Sequence, residues 1–191
     1  MLVRVDGLQP AKPKVVTVRV TSPSHQPVDP ATFRTALGHY ASGLTIVSGL
    51  HAQGPVGFTC QSFYSVSIAP PLVSFSVMRD STTYPPMRAT GRLAVNVLAH
   101  DQRGLANQFA RKGTDKWANV EWTATPAGNP MIQGVLLCLD CEVQAEHEAG
   151  DHVVVIARVT GLQPTTVQDP SPLLYFRGQY AHLRYLDSEH P

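Results

Sequence analysis

Gly57-Phe58-Thr59-Cys60-Gln61-Ser62-Phe63-Tyr64-Ser65-Val66-Ser67-Ile68-Ala69-Pro70-Pro71-Leu72-Val73-Ser74-Phe75-Ser76-Val77 is a hydroxyl-rich connection that leads through a double proline into a strand. A main chain this polar, held between apolar runs, can line a slot for a flat polar ring. Short strands flank it, Leu44 to Ser48 before and Leu93 to Leu98 after, and the segment itself ends in a third, Leu72 to Met78. Each is bounded by Gly, Pro or charge, the pattern of a chain built mainly from β-strands.

Helices are few. Asp29-Pro30-Ala31-Thr32 reads as a helix start, with Asp29 as N-cap and Pro30 at the first helical position; Phe33 and Leu37 form an apolar stripe, and an end is expected near Gly43. A second helix is expected from Asp101 to Phe109, where Leu105 and Phe109 stand at helical spacing, and a further turn at Tyr84 to Ala89. The plainest hairpin pairs Val135–His147 with His152–Leu162 across Glu148-Ala149-Gly150-Asp151. In its first arm Val135, Leu137, Leu139, Cys141 and Val143 alternate with Asp140, Glu142 and Gln144, which are expected to face outward. A last strand, Leu173 to Arg177, runs into Gly178 and Tyr180. The sum is a small antiparallel barrel with peripheral helices.

Composition sets the bounds. A chain of 191 residues with 43% apolar content can bury one good core. Residues 28–191 read as that single domain, and residues 1–27, cut by Pro10, Pro13, Pro23 and Pro27, as an extended arm. Fifteen basic against fourteen acidic residues leave a net charge of +1, so no field of one sign draws nucleic acid or an anionic membrane. No apolar run approaches a membrane span and no signal peptide is present, so a cytoplasmic location is expected. Cys138 and Cys141, three apart in a strand, face opposite sides and read as small core residues in a reducing compartment.

Several motifs are missing. No GxGxxG follows a strand, no GxxxxGK[ST] or GxSxG occurs, and His147-Glu148-Ala149-Gly150-Asp151-His152 lacks both the spacing and the helix of a zinc site. No metal is expected.

The Gly57–Val77 segment resembles the flavin-contacting segment of the short-chain flavin reductases, which share the FMN-binding split barrel. It looks in particular like the reductase components of two-component flavin-dependent monooxygenases. The resemblance runs over about residues 29–185, and its motifs occur in the right order. It implies an antiparallel, Greek-key-like split barrel with a few helices. It also implies reduction of FMN or FAD by NADH or NADPH, release of reduced flavin to a separate oxygenase, and a homodimer with flavin between the subunits.

Carried over residue by residue, the resemblance gives Thr59, Cys60, Gln61 and Ser62 to the ring and ribityl chain; a polar edge strand is the alternative. Ser76, Ser81 and Thr82 match ribityl-phosphate contacts, and the same hydroxyls fit a capped turn. Phe109, Arg111 and Lys112, followed by Lys116-Trp117, match a phosphate clamp; a basic pair at a helix end also complements the helix dipole. A planar guanidinium grips phosphate bidentately, which favours Arg111 over Lys112. His152, in Gly150-Asp151-His152, matches a histidine beside the flavin and the nicotinamide path. Arg177 and Tyr180, in Phe176-Arg177-Gly178-Gln179-Tyr180, match groups that reach toward the site's mouth. The same barrel also hosts non-catalytic flavin- or haem-binding proteins and pyridoxamine-phosphate-oxidase-like oxidases. The Thr59–Ser67 run and Gly150-Asp151-His152 favour the reductase.

Overall fold

The computed structural model describes residues 27–164 and 170–184, so nearly all of the expected N-terminal arm lies outside the described residues. In chain order the elements are α1 (Pro30–Leu37), β1 (Ser42–Gly43), β2 (Thr45–His51), β3 (Gly54–Cys60), β4 (Tyr64–Ser67), β5 (Leu72–Met78), α2 (Tyr84–Thr90), β6 (Arg92–Val97), α3 (Arg103–Ala110), β7 (Trp122–Ala124), β8 (Pro130–Ile132), β9 (Leu137–Ala149), β10 (His152–Pro164), β11 (Leu174–Phe176) and β12 (Gln179–Ala181).

Seven strands form one antiparallel sheet in the order β3-β2-β6-β9-β10-β5-β4, with β1-β11-β12 and β7-β8 as smaller sheets beside it. The long β9–β10 hairpin is the spine of the large sheet. It turns at Gly150-Asp151, between the paired residues Ala149 and His152, and carries two register shifts along its length. Such bulges increase the local twist and help a sheet roll up. The ends of the rolled sheet meet where Phe58 of β3 faces Phe75 of β5, their ring centroids 6.2 Å apart.

Alternation along the central strands builds two apolar layers. Val47, Leu93, Val95, Leu139 and Cys141 point into the barrel with Phe75 and Val155, while Ile46, Ala94 and Cys138 point outward under Phe109, Ile132 and Leu173. Burial on both faces explains why Leu93 to Leu98 reads as a nearly continuous apolar run. The two cysteines do face opposite sides, as their spacing requires. Buried in different layers, their thiols are pushed up to about 12, chiefly by desolvation.

Three expectations need correction. The first helix stops at Leu37, well before Gly43: the Gly38 N–H closes on the Arg34 carbonyl at 2.9 Å, and Gly43 is already paired with Leu174. The turn at Tyr84 is a full helix, α2, whose two prolines occupy positions where the N–H has no helical partner. Asp140 shares the outer face with Cys138 as the alternation requires, yet it is buried and not solvent-exposed, because a loop covers that face of β9. Thr125 Oγ1 and Asn129 Nδ2 donate to its Oδ1 at 2.6 and 2.8 Å, which offsets the cost of burying a carboxylate.

Buried Asn96, on the outer face of β6, works in the same way. Its Nδ2 donates to Ser48 Oγ at 2.9 Å, and its Oδ1 accepts from the Ile132 N–H at 3.0 Å, which ties β8 to the sheet. Among the described residues no helix is long and apolar enough to cross a membrane.

Candidate functional site

A cavity of about 790 Å³ opens where the two ends of the rolled sheet meet. It gathers side chains from β3, the start of the β3–β4 connection, β5, the turn before α2, the end of α3 and the β9–β10 turn. Of the residues singled out in the sequence, Thr59, Cys60, Gln61, Ser62, Ser76, Ser81, Thr82, Phe109, Lys112, His152 and Tyr180 line this one space. Arg111 and Arg177 do not.

Several side chains of the hydroxyl-rich segment that line the cavity are engaged within the protein. Thr59 Oγ1 donates to the Ala106 carbonyl at 2.7 Å and so pins β3 to α3. Ser62 Oγ accepts from the Ser76 N–H at 2.8 Å and donates to the Ser76 carbonyl at 3.2 Å. That one hydroxyl bridges the sheet's two ends where no strand ladder joins them, since β4 reaches along β5 only as far as the Tyr64–Ser74 pair. The Cys60 sulfur lies 3.3 Å from the Ser62 hydroxyl, buried, and its thiol pKa is raised by desolvation. Gln61 is exposed at the rim.

Behind the cavity stands an aromatic wall. Phe109 is fully buried and packs edge-to-face on Trp117 with centroids 4.9 Å apart. A Cβ at Gly57 would stand 2.8 Å from Phe109 Cε1, so only glycine lets α3 come this close to β3. On another side Tyr180 donates its hydroxyl to Asn107 Oδ1 at 2.7 Å, stacks edge-on against Tyr175 and has the Arg103 guanidinium 5.2 Å from its ring centre.

The polar end is set by a turn. The Ser81 N–H donates to the Met78 carbonyl at 3.0 Å, and Ser81 Oγ accepts from the N–H groups of Thr83 and Tyr84 at 3.3 and 3.2 Å. Ser81 therefore caps the entry to α2 while it lines the cavity. Lys112 approaches from the opposite wall, its Nζ 3.6 Å from Asp80 Oδ2. At the mouth His152 Nδ1 lies 2.7 Å from Asp151 Oδ1. The Asp151 carboxyl is held below the usual carboxylate range by that hydrogen bond and the histidine's charge, with Arg34 of α1 adding a smaller effect.

Two residues singled out in the sequence lie outside this cavity. Arg111 has extended backbone (φ −73°, ψ 142°), so its side chain and that of Lys112 diverge; Lys112 faces the cavity and Arg111 lines a separate depression with Asn107 and Thr114. Of the two, Lys112 is the one that lines the cavity. Arg177 occupies the turn between β11 and β12 with a positive φ of 49°, and its N–H is spent on the Gly38 carbonyl at 2.8 Å. Asp80 and Tyr175 line the cavity without having been singled out. Asp80 lies inside the segment read for its hydroxyls, and its charge opposite a lysine was the signal available. Among the described residues no three His, Cys, Asp or Glu side chains gather as a metal site.

Comparison with known proteins agrees with this geometry. The family described as flavin reductase like domain matches residues 37–184. The chain is 40% identical over 153 residues to the reductase subunit of a flavin-dependent monooxygenase from Mycobacterium tuberculosis, covering 80% of this chain and 82% of that one. It is 34% identical over 149 residues to an FMN reductase (NADH) from Agrobacterium fabrum, covering 78% of this chain and 83% of that one. Among solved structures it is similar to a homologue of nitrilotriacetate monooxygenase component B from Mycobacterium thermoresistibile. There the TM-score is 0.79 at 36% identity, with 84% of this chain and 92% of that one covered.

Proposed function

Because this chain belongs to the flavin reductase family, we propose that the 790 Å³ cavity takes FMN or FAD together with the nicotinamide of NADH or NADPH. On this reading the chain is the oxidoreductase component that hands reduced flavin to a separate monooxygenase. The observation that carries the reading is the convergence in one space of a polar edge, an apolar wall and the Lys112 cation.

The residues present fit such a ligand. An isoalloxazine needs donors and acceptors along one edge and apolar surface on its face. Gln61 and Ser62 supply the first, and Phe58, Val77 and Tyr175 the second. A phosphate carrying about −1.5 to −2 charge needs hydroxyls and a cation, and Ser81, Thr82 and Lys112 provide them. When bound, the flavin supplies an electron-accepting ring and the nicotinamide supplies the hydride. The chain positions both and narrows water's access, with His152 orienting the nicotinamide at the mouth.

We further propose a homodimer in the cytoplasm, where the three buried free thiols stay reduced. Helix α1 supports the dimer. It has eight residues and no buried one, yet Phe33 and Leu37 stand 53% and 56% exposed on it. A helix this short is marginal without packing, so its apolar stripe calls for a partner surface. Edge strand β4 adds exposed Tyr64 and Val66, with Ile68, 91% exposed, just beyond it. The test is steady-state NADH oxidation over an FMN titration. Saturable dependence on added flavin is expected, and full turnover by flavin-stripped protein with none added would refute a substrate role for flavin.

A further inference from the structure

Lys112 already has an anionic partner. Its Nζ lies 3.6 Å from Asp80 Oδ2, and both side chains line the cavity. The two ends of this pair are not equivalent. Asp80 sits in a turn closed by the hydrogen bond from the Ser81 N–H to the Met78 carbonyl, and Arg79, one residue earlier, donates its N–H to the Asp151 carbonyl at 3.0 Å. Its backbone is therefore fixed. Both side chains are exposed, Lys112 at 78% and Asp80 at 66%, but the lysine follows the end of α3 on a long four-carbon stem with more rotatable bonds than the short aspartate. Lys116 is near enough for its ammonium to be held below the usual range by burial first and then by the charge of Lys112. Lys112 thus has an acid within ion-pair distance and a second cation nearby.

We propose that Asp80 is a built-in competitor for the flavin phosphate: it occupies Lys112 in the free protein, must yield it when a phosphorylated flavin binds, and takes it back as the reduced flavin leaves. The proposal rests on the reading of Lys112 as the phosphate cation. A reductase that hands its flavin on gains from a weakened grip on a charged group that reduction leaves unchanged. Binding energy spent on the phosphate holds oxidised and reduced flavin alike, and so slows release without aiding the chemistry. An exposed ion pair is weak and readily exchanged, which suits a group that must let go at each turnover. Asp80 acts through Lys112 and is a specificity-determining residue, not a catalytic one.

The test is a double-mutant cycle on the full chain, with FMN and riboflavin titrated separately into the parent, Asp80→Asn, Lys112→Met and the double variant. Asp80→Asn should bind FMN about two- to five-fold more tightly, the range set by the worth of an exposed ion pair, and leave riboflavin unchanged. In the Lys112→Met background the same substitution should have no effect on FMN. If Asp80→Asn leaves FMN affinity unchanged, or tightens it equally without Lys112, competition is refuted; the latter result would mean simple repulsion between carboxylate and phosphate. If Lys112→Met weakens FMN and riboflavin alike, the phosphate role of Lys112 itself fails, a different failure that the cycle separates from the first.

Discussion

Replacing Ser62 by alanine tests whether the cavity depends on the seam between the sheet's two ends. The hydroxyl makes two hydrogen bonds to one residue, accepting from the Ser76 N–H at 2.8 Å and donating to the Ser76 carbonyl at 3.2 Å. Alanine removes both and leaves a part-buried N–H without its partner, at a cost of about 1–3 kcal/mol. In a chain of this size 1 kcal/mol moves the melting temperature by about 2–4 °C, so a loss near 2 kcal/mol lowers it by about 4–8 °C. The seam borders the cavity, so FMN and riboflavin should weaken together by a similar factor. Ser62→Thr keeps the hydroxyl and should retain most of both properties. Thermal melts followed by circular dichroism, run beside flavin titrations, read the two effects. An unchanged melting temperature with a large loss of flavin affinity would show that the hydroxyl serves the ligand directly and would refute the seam argument.

Gly57→Ala forces a methyl to within 2.8 Å of Phe109 Cε1 and 3.3 Å of Trp117 Cζ2. Overpacking of this kind costs about 1–3 kcal/mol, and a denaturant melt should show it together with altered tryptophan fluorescence. Leu37→Asp puts a charge on the exposed stripe of α1 and should convert a dimer to monomer in sedimentation velocity without lowering the helix content of the barrel. His152→Ala should slow flavin reduction or weaken the nicotinamide donor in stopped-flow traces while flavin affinity stays within a few-fold; unchanged kinetics would return His152 to the solvated turn. Alkaline pH should destabilise the fold. Cys138 and Cys141 titrate near 12 when folded and at about 8.5 when unfolded, so the unfolded state releases protons first as pH rises. Stability then falls by up to about 1.4 kcal/mol per pH unit for each thiol above pH 8.5, and urea midpoints at pH 7 and 9.5 would measure it.

Much was readable from residue pattern alone. Period-two alternation placed β5 and the first arm of the β9–β10 hairpin, and bounding Gly, Pro or charge placed β6. Asp29 and Pro30 placed the start of α1, where the Asp29 carboxylate accepts from the Thr32 N–H at 2.8 Å. These signals are local, carried by the chain's own repeat and by capping chemistry within a few residues. The two ends of the polar Gly57–Val77 segment, Phe58–Ser62 and Ser76–Val77, line the cavity, while the middle forms the edge strand that the same composition also allowed.

The sequence could not say which polar groups the protein keeps for itself. Ser62 meets Ser76, Thr59 meets Ala106, and Thr125 and Asn129 meet Asp140 only because a rolled sheet brings together residues 11 to 47 positions apart. The exposure of Asp140 followed from alternation until a loop covered that face. The choice between Arg111 and Lys112 turned on a single extended residue at the end of α3. Chemistry at neighbouring positions is thus set by residue type and spacing. Which of two adjacent side chains reaches the site, and which hydroxyl is still free to serve it, is decided by backbone direction and by partners that only the tertiary fold supplies.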